Sequence, residues 1–204
     1  MEVDRPAPGE ELNLGRATEP RQAATVIVLR GGPERLEVLL VRRNPSARFM
    51  GGAWVFPGGA LDGSEDHRAA GVREVAEEAG VRLLDAAALI GFSRWITPPQ
   101  VRIRFDTHFF LAALPDRADP RPDGGETVDV RWYAPRDALE AHTRGELQLV
   151  FPTIKTLEQL RAFTSCDELL AWADGREVVP VEPQVVREGE VARVVMPGEP
   201  GYRG

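Results

Sequence analysis

Cysteine, histidine and long apolar runs are scarce in this sequence, and each scarcity excludes a class of protein. The one cysteine, Cys166, rules out an intramolecular disulfide framework and a cysteine-based zinc site. The three histidines, His67, His108 and His142, lack the spacing of metal ligands. No apolar run approaches the roughly 20 residues that a membrane-spanning helix needs, so we predict no membrane partner. A single cysteine is compatible with a reducing compartment, and we predict a cytoplasmic location.

Basic residues are fewer than acidic residues in this sequence. Against 32 acidic residues stand 25 lysines and arginines, which gives a formal charge of −7. Nucleic-acid binding depends on many phosphate contacts, so we predict no nucleic-acid partner. A phosphorylated small molecule is still compatible with this charge, because a bound metal ion can supply local positive charge.

The 204 residues suffice for one domain with additional elements. Residues 1–21 are polar and lack periodicity, so we predict a flexible lead-in, unlike a signal peptide, before a single domain over residues 22–204. The predicted strands are 23–30, 36–43, 87–96, 102–114 and 126–133. The predicted helices are 66–79, 135–143, 152–163 and 167–173. The domain is predicted to end in a helical and β-hairpin extension, in which the apolar pieces 178–181 and 191–196 pair as two strands.

The helix over residues 66–79 is predicted to gather carboxylates on one face. Glu74, Glu77 and Glu78 have the i, i+3, i+4 spacing that stacks side chains along one side of a helix. The opposite side carries four apolar residues, which are Val72, Val75, Ala76 and Ala79. Like charges at this spacing repel, which indicates a cation between them, and hard divalent ions such as Mg²⁺ take carboxylate oxygens as ligands.

A stretch rich in glycine and proline, residues 44–63, leads into this helix. Loops of that length in a compact domain are usually functional. Its Phe56-Pro57-Gly58-Gly59 segment lets the backbone approach a ligand or metal closely, because glycine has no Cβ atom.

The segment from Gly59 to Val81 resembles the Nudix box, G-x5-E-x7-R-E-U-x-E-E-x-G-U, at every specified position, with Val75 and Val81 at the apolar U positions. The resemblance implies an α+β Nudix fold, in which a mixed sheet lies between helices. It also implies an enzyme that uses Mg²⁺ or Mn²⁺ to hydrolyse a nucleoside diphosphate linked to another moiety. Such chemistry needs charge neutralisation on the diphosphate oxygens and an activated water.

The resemblance also implies roles for individual residues. The three glutamates of the helix would ligate the metal, together with the carbonyl of Gly59. Arg73 would orient the glutamates through ion pairs, including one with Glu77 at i+4. Glu126, at the entrance of a predicted strand, is the candidate for the downstream acid that acts as base or ligand in this family.

The approach to the box narrows the substrate. Arg43, Arg48 and the Phe56–Gly59 segment resemble the extended pattern of the coenzyme A diphosphatases within the family, from which Val41 and Asn44 depart. This resemblance implies coenzyme A or an acyl-coenzyme A as the substrate. The two arginines would bind its phosphates, for which a planar guanidinium is suited.

Three further substrate contacts and several alternatives belong with this interpretation. The backbone of Gly58 and Gly59 would approach the substrate, and Trp95 is the candidate contact for an adenine.

Hydrolysis of ADP-ribose or a nucleotide sugar is an alternative activity, and a non-catalytic nucleotide-binding domain is an alternative class. Many relatives are dimers, so a homodimer also remains open.

Overall fold

The computed structural model describes residues 2–3, 12–13, 15–47, 49–83, 85–115, 118–188 and 191–202. Its strands are β1 Glu2–Val3, β2 Arg21–Arg30, β3 Glu37–Arg43, β4 Trp54–Val55, β5 Gly58–Ala60, β6 Ile90–Ile96, β7 Phe105–Ala113, β8 Thr127–Tyr133, β9 Pro180–Val181, β10 Gln184–Glu188 and β11 Val191–Val195. Its α-helices are α1 His67–Ala79, α2 Pro135–Thr143, α3 Phe151–Leu160 and α4 Cys166–Ala173.

One mixed sheet forms the centre of the molecule. Its strands follow the order β4-β3-β2-β7-β6-β9, with β5 added beside β2 and β8 beside β3. The central pair, β2 and β7, is parallel from Arg21 opposite Phe105 to Leu29 opposite Ala113. The neighbouring pairs β2–β3, β2–β5 and β6–β7 are antiparallel. The mixed sheet that was predicted is therefore confirmed.

Helices cover both faces of this sheet, as the alternation of residues along β2 between two apolar clusters shows. Val26 and Val28 pack in one cluster with Val75 and Ala79 of α1. Residues at the intervening positions pack in the other cluster with residues of α2, α3 and α4. Burial on both faces explains why β2 has an almost continuous apolar sequence. The prediction of an α+β protein with its sheet between helices is confirmed.

Three strand predictions differ from the structure. The strand predicted over residues 87–96 begins only at Ile90, because Ala86–Ala88 form a 3₁₀ turn that the Asp85 carboxylate caps. The strand predicted over residues 102–114 begins only at Phe105, because the chain before it contacts the terminal segments: Val101 bridges to Leu12. The predicted pairing of 178–181 with 191–196 is wrong. β9 instead pairs with β6 in parallel, and β11 pairs with β10.

The chain termini meet in a second, three-stranded sheet of order β1-β11-β10. Much of the predicted lead-in over residues 1–21 lies outside the described residues, and the division of the chain at residue 22 stays a prediction. Among the residues in the ranges above, no helix has both the length and the apolar character needed to cross a bilayer.

Candidate active site

Helix α1 turns two glutamates inward rather than outward. It begins after Asp66, whose carboxylate accepts a hydrogen bond from the Ala69 amide, and it ends at Gly80 in the left-handed conformation with φ 66°. Its buried residues form one stripe, which is Ala70, Gly71, Glu74, Val75, Glu78 and Ala79. The expectation that the apolar and acidic residues occupy opposite sides is therefore wrong for Glu74 and Glu78, which are 8% and 2% exposed.

Glycines in β5 make room for these two carboxylates. The Gly58 amide donates a hydrogen bond of 2.9 Å to Glu78 Oε2, which replaces part of the water that burial removes. A Cβ atom on Gly59 would lie only 2.3 Å from Glu74 Oε1. A side chain at position 59 would displace the Glu74 carboxylate, and a Cβ atom on Gly58 would lie only 2.4 Å from the Ala24 carbonyl oxygen, so both positions need glycine to keep this arrangement.

Arg73 holds three acidic side chains with one guanidinium group. It contacts Glu65 at 2.6 Å, Glu74 at 2.8 Å and Glu77 at 2.9 Å, and it also donates to the Ala60 carbonyl. The hydrogen bond to Glu65 is the main cause of a raised Arg73 pKa, and the same bond lowers the pKa of Glu65. The predicted i+4 pair between Arg73 and Glu77 is present in the structure.

Glu126 reaches the same site on a tightly bonded loop. The carboxylate of Asp123 accepts hydrogen bonds from the amides of Gly125, Glu126 and Thr127, as aspartate does in turns of this kind. The Thr127 hydroxyl donates to the Glu78 carbonyl at 2.6 Å, which joins this loop to α1. The spacing of Asp123 and Thr127 is the sequence signal that could have revealed this anchorage.

Asn44 ties the Glu126 loop to the arginine-rich segment. Its amide nitrogen donates to the Gly125 carbonyl at 2.8 Å, and its backbone amide donates to the Glu126 carbonyl at 2.8 Å. Asn44 is one of the two departures from the coenzyme A diphosphatase pattern. A serine or alanine has no side-chain amide to make the first of these bonds, so the departure changes how the loop is held.

The electrostatics of the site are dominated by burial of negative charge. Desolvation raises the pKa of Glu78 to about 7, while the Gly58 amide and the Arg43 guanidinium, 3.7 Å away, oppose that rise. Desolvation also raises the pKa of Glu74, and hydrogen bonding to Arg73 opposes it. The negative charge of Glu126 contributes to both raised pKa values.

Glu74, Glu78 and Glu126 fit a divalent metal ion by their chemistry. In the ranges that the structure describes, no three acidic, histidine or cysteine side chains are spaced as a finished set of metal ligands. The three carboxylates nevertheless line one cavity and repel one another, and a hard cation would relieve that repulsion. The terminal torsion of a glutamate is soft, so the oxygens of these carboxylates can turn toward an ion.

A cavity of about 1230 Å³ contains most of the predicted site. Seven of the predicted residues line it, which are Arg43, Gly58, Gly59, Glu74, Glu78, Trp95 and Glu126. Glu77, 60% exposed at its side chain, and Arg73 are not among the described lining residues. Arg48 lies outside the described residues.

Apart from Trp95, the lining that β6, α3 and the C-terminal strands contribute to the cavity was not predicted from the sequence. Trp95 is 5% exposed, packs edge-on against Phe151, and has an indole nitrogen without a hydrogen-bond partner. Residues of α3 and of the C-terminal strands complete this lining. Nothing in their local sequence distinguishes them from ordinary core residues, because only the tertiary fold brings them to the cavity.

This chain is similar to known proteins both in sequence and in fold. The family model described as the NUDIX domain matches residues 19–153. A Caenorhabditis elegans protein whose name places it among the nudix hydrolases is 25% identical, over 85% of this chain and 71% of that protein. The human acyl-coenzyme A diphosphatase NUDT19 is 30% identical over 58% of this chain, but the match spans only 33% of the human protein.

A crystal structure of a NUDIX hydrolase from Alicyclobacillus acidocaldarius is similar with a TM-score of 0.67 and 30% identity, covering 76% of this chain and 96% of that one. The mixed sheet between helices is therefore the Nudix fold. With the glycine-bounded carboxylate site on α1 and the family model over most of the chain, this protein belongs to the Nudix family and is a hydrolase of diphosphate bonds.

Proposed function

We propose that this hydrolase cleaves the diphosphate of coenzyme A or of an acyl-coenzyme A. The observation that carries the proposal is the position of Arg43. This residue belongs to the segment that resembles the coenzyme A diphosphatases, and its guanidinium lies 3.7 Å from the carboxylate of Glu78. A residue suited to binding phosphate thus adjoins the carboxylates suited to binding metal. The similarity to the human acyl-coenzyme A diphosphatase supports the same substrate class.

The reaction adds water across one phosphoanhydride bond. The oxygen of water forms a bond to one phosphorus, the bridging P–O bond breaks, and the products are a phosphopantetheine and an adenosine bisphosphate. Mg²⁺ or Mn²⁺, when bound, supplies positive charge to the diphosphate oxygens and lowers the pKa of the attacking water. Glu74 and Glu78 would hold the metal, and Glu77 and the Gly59 carbonyl are further proposed ligands.

The remaining roles belong to residues around the carboxylates. Glu126 takes up the proton of the water or serves as a further ligand, and Arg73 keeps Glu74 in place as a positioning residue. Arg43 binds the phosphates, and Arg48 is proposed as its partner in that task. Trp95 is proposed as a substrate contact, although its 5% exposure leaves little ring surface for an adenine. The cytoplasmic location and a homodimer remain predictions.

A substrate panel tests this proposal. The purified protein is incubated with Mg²⁺ or Mn²⁺ and with coenzyme A, acyl-coenzyme A, ADP-ribose or a nucleotide sugar, and products are identified by mass spectrometry. We expect phosphopantetheine or its acyl form as a product. Glu78→Gln is expected to abolish turnover, whereas the matched Glu140→Gln, on an exposed side chain of α2, retains it. Intact coenzyme A species beside cleaved ADP-ribose would reject the substrate assignment.

A further inference from the structure

The cavity that holds the carboxylates has a second, aliphatic end. One row of paired residues crosses its floor from β5 to β6, which is Ala60, Ala23, Thr107 and Trp95. All four line the cavity. Neighbouring strands lie about 4.8 Å apart, so three spacings place Trp95 roughly 14 Å from Ala60, beside which the carboxylates lie. The next residue in this row is Val181 of β9.

Aliphatic residues from both ends of the chain and from the segment after β6 also line the cavity. Val185 of β10 and Val194 of β11 stand directly opposite each other, and both line the cavity. Leu12 and Val101, joined by an isolated β-bridge, line it as well. Ile103 adds an aliphatic side chain that is 40% exposed. We call these five residues the aliphatic cap.

Arg104 joins, through hydrogen bonds, the chain segments that carry the aliphatic cap. It is only 9% exposed, and its guanidinium donates to the Thr18 carbonyl, the Thr97 carbonyl and the Glu182 carboxylate. These acceptors belong to the N-terminal segment, the end of β6 and the segment before β10. A buried arginine bonded on three sides holds a defined wall rather than a loose flap.

The aliphatic cap is largely an addition to the common domain. The matching family model covers residues 19–153, so Leu12, Val185 and Val194 fall outside it. Aliphatic side chains exclude water from a hydrocarbon chain, but they offer no hydrogen bonds to the nitrogens of a purine or the hydroxyls of a sugar. The chemistry of this end therefore favours an apolar group over a second polar group.

We infer that the aliphatic cap binds the acyl chain of a long-chain acyl-coenzyme A, an inference that rests on the proposed function. With the diphosphate at the carboxylates, the extended pantetheine arm spans roughly 15 Å by ordinary bond lengths. That reach brings the thioester beside Trp95 and directs the acyl chain into the cap. The enzyme accordingly prefers acylated over free coenzyme A, and its preference increases with chain length.

A chain-length series tests this inference. The kcat/KM of the Mg²⁺-loaded enzyme is measured for free, acetyl-, butyryl-, octanoyl- and lauroyl-coenzyme A. Burial of hydrocarbon predicts an increase of up to about fourfold per methylene until the cap is filled. Binding of the same series to Glu78→Gln, measured by calorimetry, should follow the same order without any turnover.

Two charged variants locate the effect. Ile103→Asp should fold normally, because the Ile103 side chain is already 40% exposed. Val185→Asp places a charge inside the aliphatic cap. Both should flatten the dependence on chain length. The matched control is Val179→Asp, at a position that is 69% exposed, and it should retain the wild-type dependence.

The outcomes separate this inference from the proposed function. Equal kcat/KM and equal affinity at every chain length would overturn the acyl site while leaving coenzyme A hydrolysis intact. Chain-length-dependent binding without hydrolysis would support the acyl site and reject the proposed reaction. A chain-length dependence that survives unchanged in both Ile103→Asp and Val185→Asp would also overturn the assignment to the aliphatic cap.

Discussion

Replacing Glu78 by glutamine is expected to stabilise the metal-free protein while it removes the activity. Burial raises the pKa of Glu78 from 4.5 to about 7. One pKa unit corresponds to about 1.4 kcal/mol, so the buried negative charge costs about 3 kcal/mol at alkaline pH. A glutamine at this position carries no charge, and its side-chain oxygen can still accept a hydrogen bond from the Gly58 amide.

The pH dependence follows from the direction of the shift. Because the folded state binds the Glu78 proton more tightly than the unfolded state, the stabilisation from protonation is complete below pH 4.5. It is lost as the pH rises through about 7. Wild type should therefore be less stable than Glu78→Gln at pH 8 by up to about 3 kcal/mol, and the difference should shrink toward pH 4.5.

Urea unfolding in EDTA at several pH values measures this difference. Glu140→Gln, which replaces an exposed carboxylate, serves as the control and should follow wild type. Addition of Mg²⁺ at pH 8 should stabilise wild type and leave Glu78→Gln nearly unchanged, because the ion binds the charged form. A Glu78→Gln protein that is no more stable than wild type at pH 8 in EDTA would refute the reasoning.

Three further changes probe the same framework. Gly59→Ala should fold but lose most of its activity, because the new methyl group would lie 2.3 Å from Glu74 Oε1; full activity with a normal circular dichroism spectrum would contradict this. Arg73→Gln frees the carboxylates that it holds, and kcat should fall roughly 10- to 100-fold, as for other residues that orient metal ligands; an unchanged kcat would show that these contacts do not position the site. Two hydrogen bonds from Arg94 lower the pKa of Asp106, so the stability that the ionised Asp106 contributes is present at neutral pH and is lost as the pH falls through that lowered pKa. Asp106→Asn should therefore lower the urea midpoint at pH 7 and approach wild type in strong acid. Equal midpoints at pH 7 would count against a stabilising role for the Arg94–Asp106 pair.

The ends of α1 and the start of α2 were predictable because local chemistry determines them, whereas α3, predicted over residues 152–163, runs from Phe151 to Leu160. Asp66 and Gly80 supply the N-terminal cap and the left-handed residue at the C-terminal end, and both act in the structure as their residue types indicate. Helix α2 begins at Pro135 as predicted, because proline fits the first turn, where its missing amide is not needed.

Partners of strands were less predictable, since pairing depends on the whole fold. The prediction that β9 pairs with β11 overlooked the two residues that separate β10 from β11, a spacing that favours a hairpin between them. The apolar character of residues 178–181 was recognised, but their partner strand β6 lies much earlier in the chain, where Arg94 pairs with Pro180 and Trp95 with Val181.

The site was predicted in its residue types and only partly in its arrangement. A periodicity argument places Glu74 opposite Val75, yet both are buried. Backbone amides and the space left by glycine at β5 make that burial tolerable, and a helical wheel contains neither. The positions of Glu77 and Glu126 relative to the cavity likewise depend on Arg73 and on a loop whose hydrogen bonds span separate parts of the chain.

The parallel pairing of β2 with β7 has a consequence for the order of assembly. Its partners are 84 residues apart in sequence, and the intervening chain contains β5 and the glutamate-bearing α1. At about 5–20 residues per second, synthesis of that interval takes roughly 4 to 17 s, during which β2 lacks its longest neighbour. Such non-local pairing is intrinsically slow. Helix α1 therefore reaches its final support only after β7, the second strand of the central pair, has emerged from the ribosome.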